Sequence, residues 1–136
     1  MASTTQTVIP ADKLDLLEST ALAHVATLGP NGEPQNNPVW FDWDGEYLLF
    51  SQTTTRQKYR NLQNDPRVAL SIVDPDNPYR YLEVRGTVVD FRPDPDFAFI
   101  NKMSAKYTGN DVYQGAMPGE ERVVIVVRPE HTTSMG

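Results

Sequence analysis

Twelve consecutive residues concentrate the chemistry of this chain: Ser51-Gln52-Thr53-Thr54-Thr55-Arg56-Gln57-Lys58-Tyr59-Arg60-Asn61-Leu62. The spacing predicts a strand that ends in hydroxyl residues and feeds a helix whose first turn contains Arg56 and Lys58. A helix N-terminus offers unpaired N–H groups and a partial positive charge, and threonine hydroxyls add donors. Arg56 can grip a phosphate or carboxylate through two parallel hydrogen bonds, and Lys58 adds a point charge. Cations in that position oppose the helix macrodipole, a conflict that a bound anion relieves. A charge cluster by itself is more often a solvated helix face. The opposed dipole moves the reading towards an anionic ligand.

The rest of the composition narrows the classes. The 136 residues hold 12 Lys and Arg against 18 Asp and Glu, a formal charge of −6. Arg56, Lys58, Arg60 and Arg67, opposed by Asp65 alone, give that window +3, which leaves −9 for the remainder. An acidic chain with one basic island argues against general nucleic-acid binding. The absence of cysteine removes disulfides, a thiolate nucleophile and Cys-ligated metals. His24 and His131 stand far apart in sequence, and His24, in an expected strand, reads as a packed or rim histidine rather than a ligand. Asp74, Asp76, Asp94 and Asp96 read as turn and cap acids, because no calcium-loop spacing accompanies them. Neither GxxxxGK[ST] nor GxGxxG is present, and no nucleophile elbow is visible. No apolar run approaches the roughly 18–20 residues of a membrane span, and the polar start is not that of a signal peptide. These features point to a soluble cytoplasmic protein with neither nucleic acid nor membrane as partner.

The elements that must position the cluster follow from pattern. Residues 1–9 read as a flexible arm, and residues 10–136 as a single domain, long enough for a real core. Leu14, Leu16 and Leu17 form a short helix face after Pro10. Ala21 to Leu28 reads as a strand, and Asn31-Gly32 as a hairpin turn. A second strand puts Val39, Phe41 and Trp43 on one face and Trp40 and Asp42 on the other, with Pro38 at a bulge or edge. A third strand, Glu46 to Gln52, completes an antiparallel meander. Thr54-x-x-Gln57 has capping-box spacing and starts a helix near Thr55 that Asp65-Pro66 stops.

Val68 to Val73 is apolar on both faces, as in a barrel interior. Tyr79 to Phe91 alternates around Gly86, which marks a bend or close backbone approach. Asp94-Pro95 predicts an N-cap with proline in the first helical position, and Gly109 ends that helix. Arg122 to Arg128 is a final strand, apolar on both faces. The sum is mainly β (α+β): six antiparallel strands with short flanking helices, most economically a small barrel. Trp40, Phe41, Trp43, Tyr79 and Tyr81 belong to core or interface, or, for Tyr79 and Tyr81, beside a stacked planar heterocycle.

Four segments in this order carry a family resemblance: Leu28 to Gln35 with Pro38-Val39-Trp40-Phe41; Thr55 to Leu62; Asp65-Pro66-Arg67-Val68; and Pro78 to Gly86. Together they resemble the pyridoxamine-phosphate-oxidase-like split-barrel superfamily, and within it the F420-dependent flavin/deazaflavin oxidoreductases of the B type. The likeness runs from about Leu14 to Arg128. It implies an FMN-binding type of split barrel, a homodimer with cofactor sites at the subunit interface, and hydride transfer from reduced coenzyme F420 to a small unsaturated organic acceptor.

Residue by residue, the resemblance assigns Arg56 and Lys58 to the phosphate. Phe50, Ser51, Gln52 and Thr53 line the phosphate and ribityl chain, and Gln35, Asn37, Pro38 and Val39 lie along the ring. Tyr79 and Tyr81 are presented by the partner subunit, Met117 sits in a closing loop, and Arg60 reaches an acidic tail. No metal is implied, and no catalytic residue is assigned. FMN in place of F420, or a non-catalytic carrier of F420, remain the alternatives, since both cofactors share ring shape and phosphate. The chain lacks the C-terminal extension of pyridoxamine-phosphate oxidases, which argues against vitamin B6 oxidation.

Overall fold

The computed structural model describes residues 8–136. A 3-10 turn (Ala11–Lys13) runs into a short helix, α1 (Leu14–Leu17). Then come β1 (Ala23–Leu28), β2 (Pro34–Val39), β3 (Asp42–Trp43), β4 (Leu48–Thr53) and α2 (Gln57–Asn64). They are followed by β5 (Arg67–Asp74), β6 (Asn77–Pro93), α3 (Ala98–Thr108) and β7 (Arg122–Met135). All seven strands form one antiparallel sheet in the order β2-β1-β5-β6-β7-β4-β3, curled into the split barrel that the sequence implies. Most of the expected arm, residues 1–7, lies outside the described residues. Ile9 is buried in the core, and the Val8 carbonyl accepts a hydrogen bond from the Thr132 hydroxyl at 2.7 Å.

The count is seven strands rather than six because the predicted second strand breaks. β2 pairs with β1 up to Val39, the chain then turns inward, and Phe41 is fully buried. Asp42 and Trp43 pair instead with Leu49 and Leu48 of β4. The expected three-strand meander therefore becomes two hairpins at opposite ends of the sheet. Only Trp40 and Phe41 separate β2 from β3, so this crossover links the two edges.

The core rests on period-two patterning. Val25, Leu70, Ile72, Leu82, Val84, Phe50 and Ile125 are fully buried inside the barrel. On the other face of β7, Val124 and Val126 pack with Leu49 against Tyr47 and Phe99, which explains why Val123 to Val127 is apolar on both faces. β5 is apolar on both faces as read, but Ala69, Ser71 and Val73 are only half-buried in the single chain.

Local signals were obeyed unevenly. Gly86 sits at a register shift of β6 against β7, and a Cβ there would fall on the Arg128 carbonyl. The close approach predicted for it is real. Gly109 ends α3 in the left-handed region at φ +83°. Two caps are corrected. The Thr54–Gln57 capping box does not form: Thr54 N–H donates to Glu121 O, the Gln57 amide turns to Asn61, and Arg56 takes the N-cap position. Pro95 is not in the first helical turn, because α3 begins at Ala98 after Phe97 in the left-handed region (φ +60°). Asp94 still caps it, its buried carboxylate accepting from Phe99 N–H at 3.2 Å.

Candidate functional site

Where β2 faces the end of β4 and the start of α2, a cleft of about 440 Å³ opens. Its lining is Gln35, Asn37, Pro38 and Val39 from β2, Gln52 from β4, and Arg56, Gln57 and Lys58 from the turn into α2. Seven of these eight are residues singled out from the sequence. They come from strands far apart in the sheet order, and the crossover at Trp40-Phe41 brings them together.

Arg56 and Lys58 give the cleft its electrostatics. Lys58 is only 6% exposed. Burial, with the Arg56 charge beside it, pulls its pKa down to about 8. Among the described residues the ion pairs use other cations, and neither Arg56 nor Lys58 has a carboxylate partner. A nearly buried ammonium beside a guanidinium, with no counter-charge, is unfavourable in an empty site and favourable around an anion. No side chain caps α2, so its opening N–H groups add to the same field.

A chain of amides ties the walls. Gln57 donates to Asn61 Oδ1 at 2.8 Å, and Asn61 Nδ2 donates to Gln35 Oε1 at 3.1 Å and to Thr27 Oγ1 at 3.0 Å. Gln35 Nε2 in turn donates to Asn37 Oδ1 at 2.7 Å. Gln57 and Asn61 were not among the residues predicted to form the site, and Asn61 is 1% exposed. Their i, i+4 spacing was a visible hint of a shared helix face; the partner across the cleft was not.

The other predicted residues fall elsewhere. Phe50 is fully buried core, so its side chain is closed to any ligand in the cleft. Strand alternation puts Ser51 on the opposite face from Gln52, where its hydroxyl meets Arg122 at 3.1 Å. Thr53 is buried, and its hydroxyl is the one buried side-chain polar atom without a partner among the described residues. Arg60 is exposed and bonds to Gln57 Oε1. Tyr79, Tyr81 and Met117 do not line the cleft. Tyr79 and Met117 project into solvent at 79% and 69% exposure.

A different groove of about 420 Å³ crosses the outer face of β1, β5 and β6, floored by Ala26, Leu28 and Ala69. Its charges are already matched: Arg67 with Asp65 and Arg85 with Glu83. Only the first cleft holds unmatched cations. Among the described residues no group of three His, Cys, Asp or Glu side chains could hold a metal ion. No helix there is long and apolar enough to cross a membrane.

The fold is a split barrel, and its cleft carries two cations that have no carboxylate partner among the described residues. Residues 10–136 match the family model for pyridoxamine 5'-phosphate oxidase, and the chain belongs to that family. Among solved structures it is similar to an F420 reductase at 49% identity and TM-score 0.85, over 92% of this chain and 98% of that one. It shares the fold with a conserved hypothetical protein of Mycobacterium tuberculosis at 22% identity and TM-score 0.71, over 99% and 89% of the two chains. It also shares it with General Stress Protein 26 of Bacillus anthracis at 14% identity and TM-score 0.67, over 96% and 92%. No curated protein matches the sequence.

Proposed function

We propose that this chain is an oxidoreductase that binds coenzyme F420 in the cleft and reduces a small unsaturated organic acceptor. The observation that carries the reading is Lys58, nearly buried beside Arg56 without an acid partner. That pair suits the phosphate of a deazaflavin, and the amides around it, Gln35, Asn37, Gln52 and Gln57, suit a ribityl chain. The 49% identity to an F420 reductase favours the deazaflavin over FMN. When bound, the reduced deazaflavin supplies the hydride. The protein has no cysteine and offers no obvious acid in the cleft, so its part is binding, orientation and exclusion of water.

In the same reading the active unit is a homodimer. The apolar floor of the outer groove gives a second copy a surface to cover, and exposed Tyr79 is free to reach a neighbouring subunit's site.

Fluorescence titration with F420 and with FMN tests the proposal. F420 binds at micromolar concentration or below, and Arg56→Ala or Lys58→Ala weakens it roughly 10- to 150-fold, the equivalent of about 1.5–3 kcal/mol for a charged hydrogen bond. Tight FMN binding without F420 binding overturns the assignment. Binding of F420 with no turnover of any unsaturated acceptor makes the protein a carrier.

A further inference from the structure

The chain has four lysines, and three of them are engaged. Lys13 Nζ donates to Asp12 Oδ2 at 3.1 Å and Lys102 Nζ to Asp42 Oδ2 at 2.8 Å. Lys106 Nζ donates to Phe41 O at 2.8 Å and lies over the Phe41 and Tyr107 rings. Lys58 alone has neither a carboxylate nor a hydrogen-bond acceptor among the described residues. The Thr53 hydroxyl is the one fully enclosed side-chain polar atom left without a partner there, so the partnerless Lys58 Nζ still opens onto the cleft it lines.

An amine so placed can react as well as attract. Burial and the Arg56 charge bring its pKa to about 8, and the side chains facing it from β2 and β4 are the neutral amides Gln35, Asn37 and Gln52. Arg60, the other cation of α2, is exposed and turned to Gln57 Oε1. At pH 7.5 roughly one Lys58 in four is therefore a neutral amine, against roughly one in a thousand for a lysine at the ordinary 10.5. Burial lowers Lys106 as well, but its nitrogen is tied to Phe41 O. Arg56 keeps its charge at any such pH and, with the uncapped opening of α2, offers a seat for phosphate next to the amine. A molecule with a phosphate at one end and an electrophilic carbon at the other meets both groups.

We propose that Lys58 is a covalent capture site for small phosphorylated aldehydes, with Arg56 and the start of α2 taking the phosphate while Lys58 Nζ condenses with the aldehyde carbon. The Nζ lone pair forms the bond to carbon. Both amine hydrogens leave with the carbonyl oxygen as water, and a C=N bond joins lysine to ligand. Nothing is oxidised or reduced, and water reverses the step. The inference rests on the reading of this cleft as an anion site, not on F420 being the anion. Its consequence is regulatory: an imine on Lys58 and a cofactor phosphate exclude each other, so phosphorylated aldehydes block loading of the cleft.

Glyceraldehyde 3-phosphate and glyceraldehyde are the probes, alike in the aldehyde and different by the phosphate. Each is incubated with the protein in the absence of cofactor and with cyanoborohydride, which fixes an imine as a stable amine. Peptide mass mapping then follows Lys13, Lys58, Lys102 and Lys106 separately. The phosphorylated probe should label Lys58 at least ten-fold faster than it labels any other lysine, and at least ten-fold faster than glyceraldehyde labels Lys58. The lead of Lys58 should shrink above about pH 8, as the other lysines begin to lose their protons. Arg56→Gln should remove the preference for the phosphorylated probe. Labelling of Lys58 no faster than of exposed Lys102, or without preference for the phosphate, overturns the proposal. Saturating F420 separates it from the function above. Protection of Lys58 supports both readings, whereas labelling that persists with F420 bound keeps the capture site and moves the cofactor phosphate elsewhere. A protein that binds F420 yet never forms the adduct loses the capture site alone.

Discussion

Lys58 places function and stability in opposition. An ammonium held at 6% exposure with a pKa near 8 costs the unliganded fold free energy. Lys58→Met, which keeps the length of the side chain and removes the charge, should raise the melting temperature of the cofactor-free protein while abolishing most anion affinity. Calorimetry and cofactor titration on the same variant check both signs. The pH dependence follows from the same group. Its folded pKa lies below the ordinary 10.5, so between about pH 8 and 10.5 the unfolded chain binds more protons and the free protein gains stability as pH rises. On the proposed function, affinity for the anion should run the other way: full below about pH 8 and falling as Lys58 loses its proton. A titration series from pH 6 to 10 measures it, and a flat profile would place the anion away from Lys58. Arg56 and Lys58 were legible because strand, hydroxyls and cations are contiguous in sequence. Asn61 was not, since its role depends on Gln35 and Thr27, more than 20 residues away and reached only through the fold.

Elements were read well where periodicity decided them and poorly where a single tertiary contact did. β5 and β6 follow their alternation, whereas β7 runs on to Met135, past its expected end at Arg128, because its second half pairs with β6 from Tyr81 to Arg85. The break after Val39 escaped notice because Val39, Phe41 and Trp43 keep strand spacing; burial of Phe41 ends the pairing instead. Both helix starts moved through contacts that local rules do not foresee: Glu121 O takes the Thr54 N–H that the capping box needed, and Asp94 stays the cap but accepts from Phe99 N–H, five residues on. Gly86 is the clearest agreement between pattern and structure. Gly86→Ala would drive a methyl group into the Arg128 carbonyl and force β6 and β7 apart. It should destabilise by about 1–3 kcal/mol, the range for overpacking. Urea unfolding should show a lower midpoint at an unchanged slope, and an unmoved midpoint would show that the bulge has room to relax.

At the scale of the molecule, the split barrel, its family and most residues lining the first cleft were within reach of the sequence, whereas the amide chain that ties its walls was not, because it forms where distant strands meet. The proposed homodimer predicts a particle of about twice the 15.3 kDa chain mass. Light scattering at working concentration checks this, and a monomer that still binds F420 fully would show that one chain's cleft suffices. The strand order carries one more consequence, for the sequence of events in folding. β7 lies between β6 and β4, so it alone fastens the β3–β4 hairpin laterally to the other four strands. It also follows the other described strands in the chain and is synthesised after them. A nascent chain still short of Arg122 can close the local hairpins, but β4 then has no sheet neighbour except two residues of β3. Loop closure over the roughly 70 residues from β4 to β7 is the slow kind of contact. The β4 wall of the cleft, which ends at Thr53, is therefore seated late, and binding of the cofactor proposed above would follow folding rather than template it.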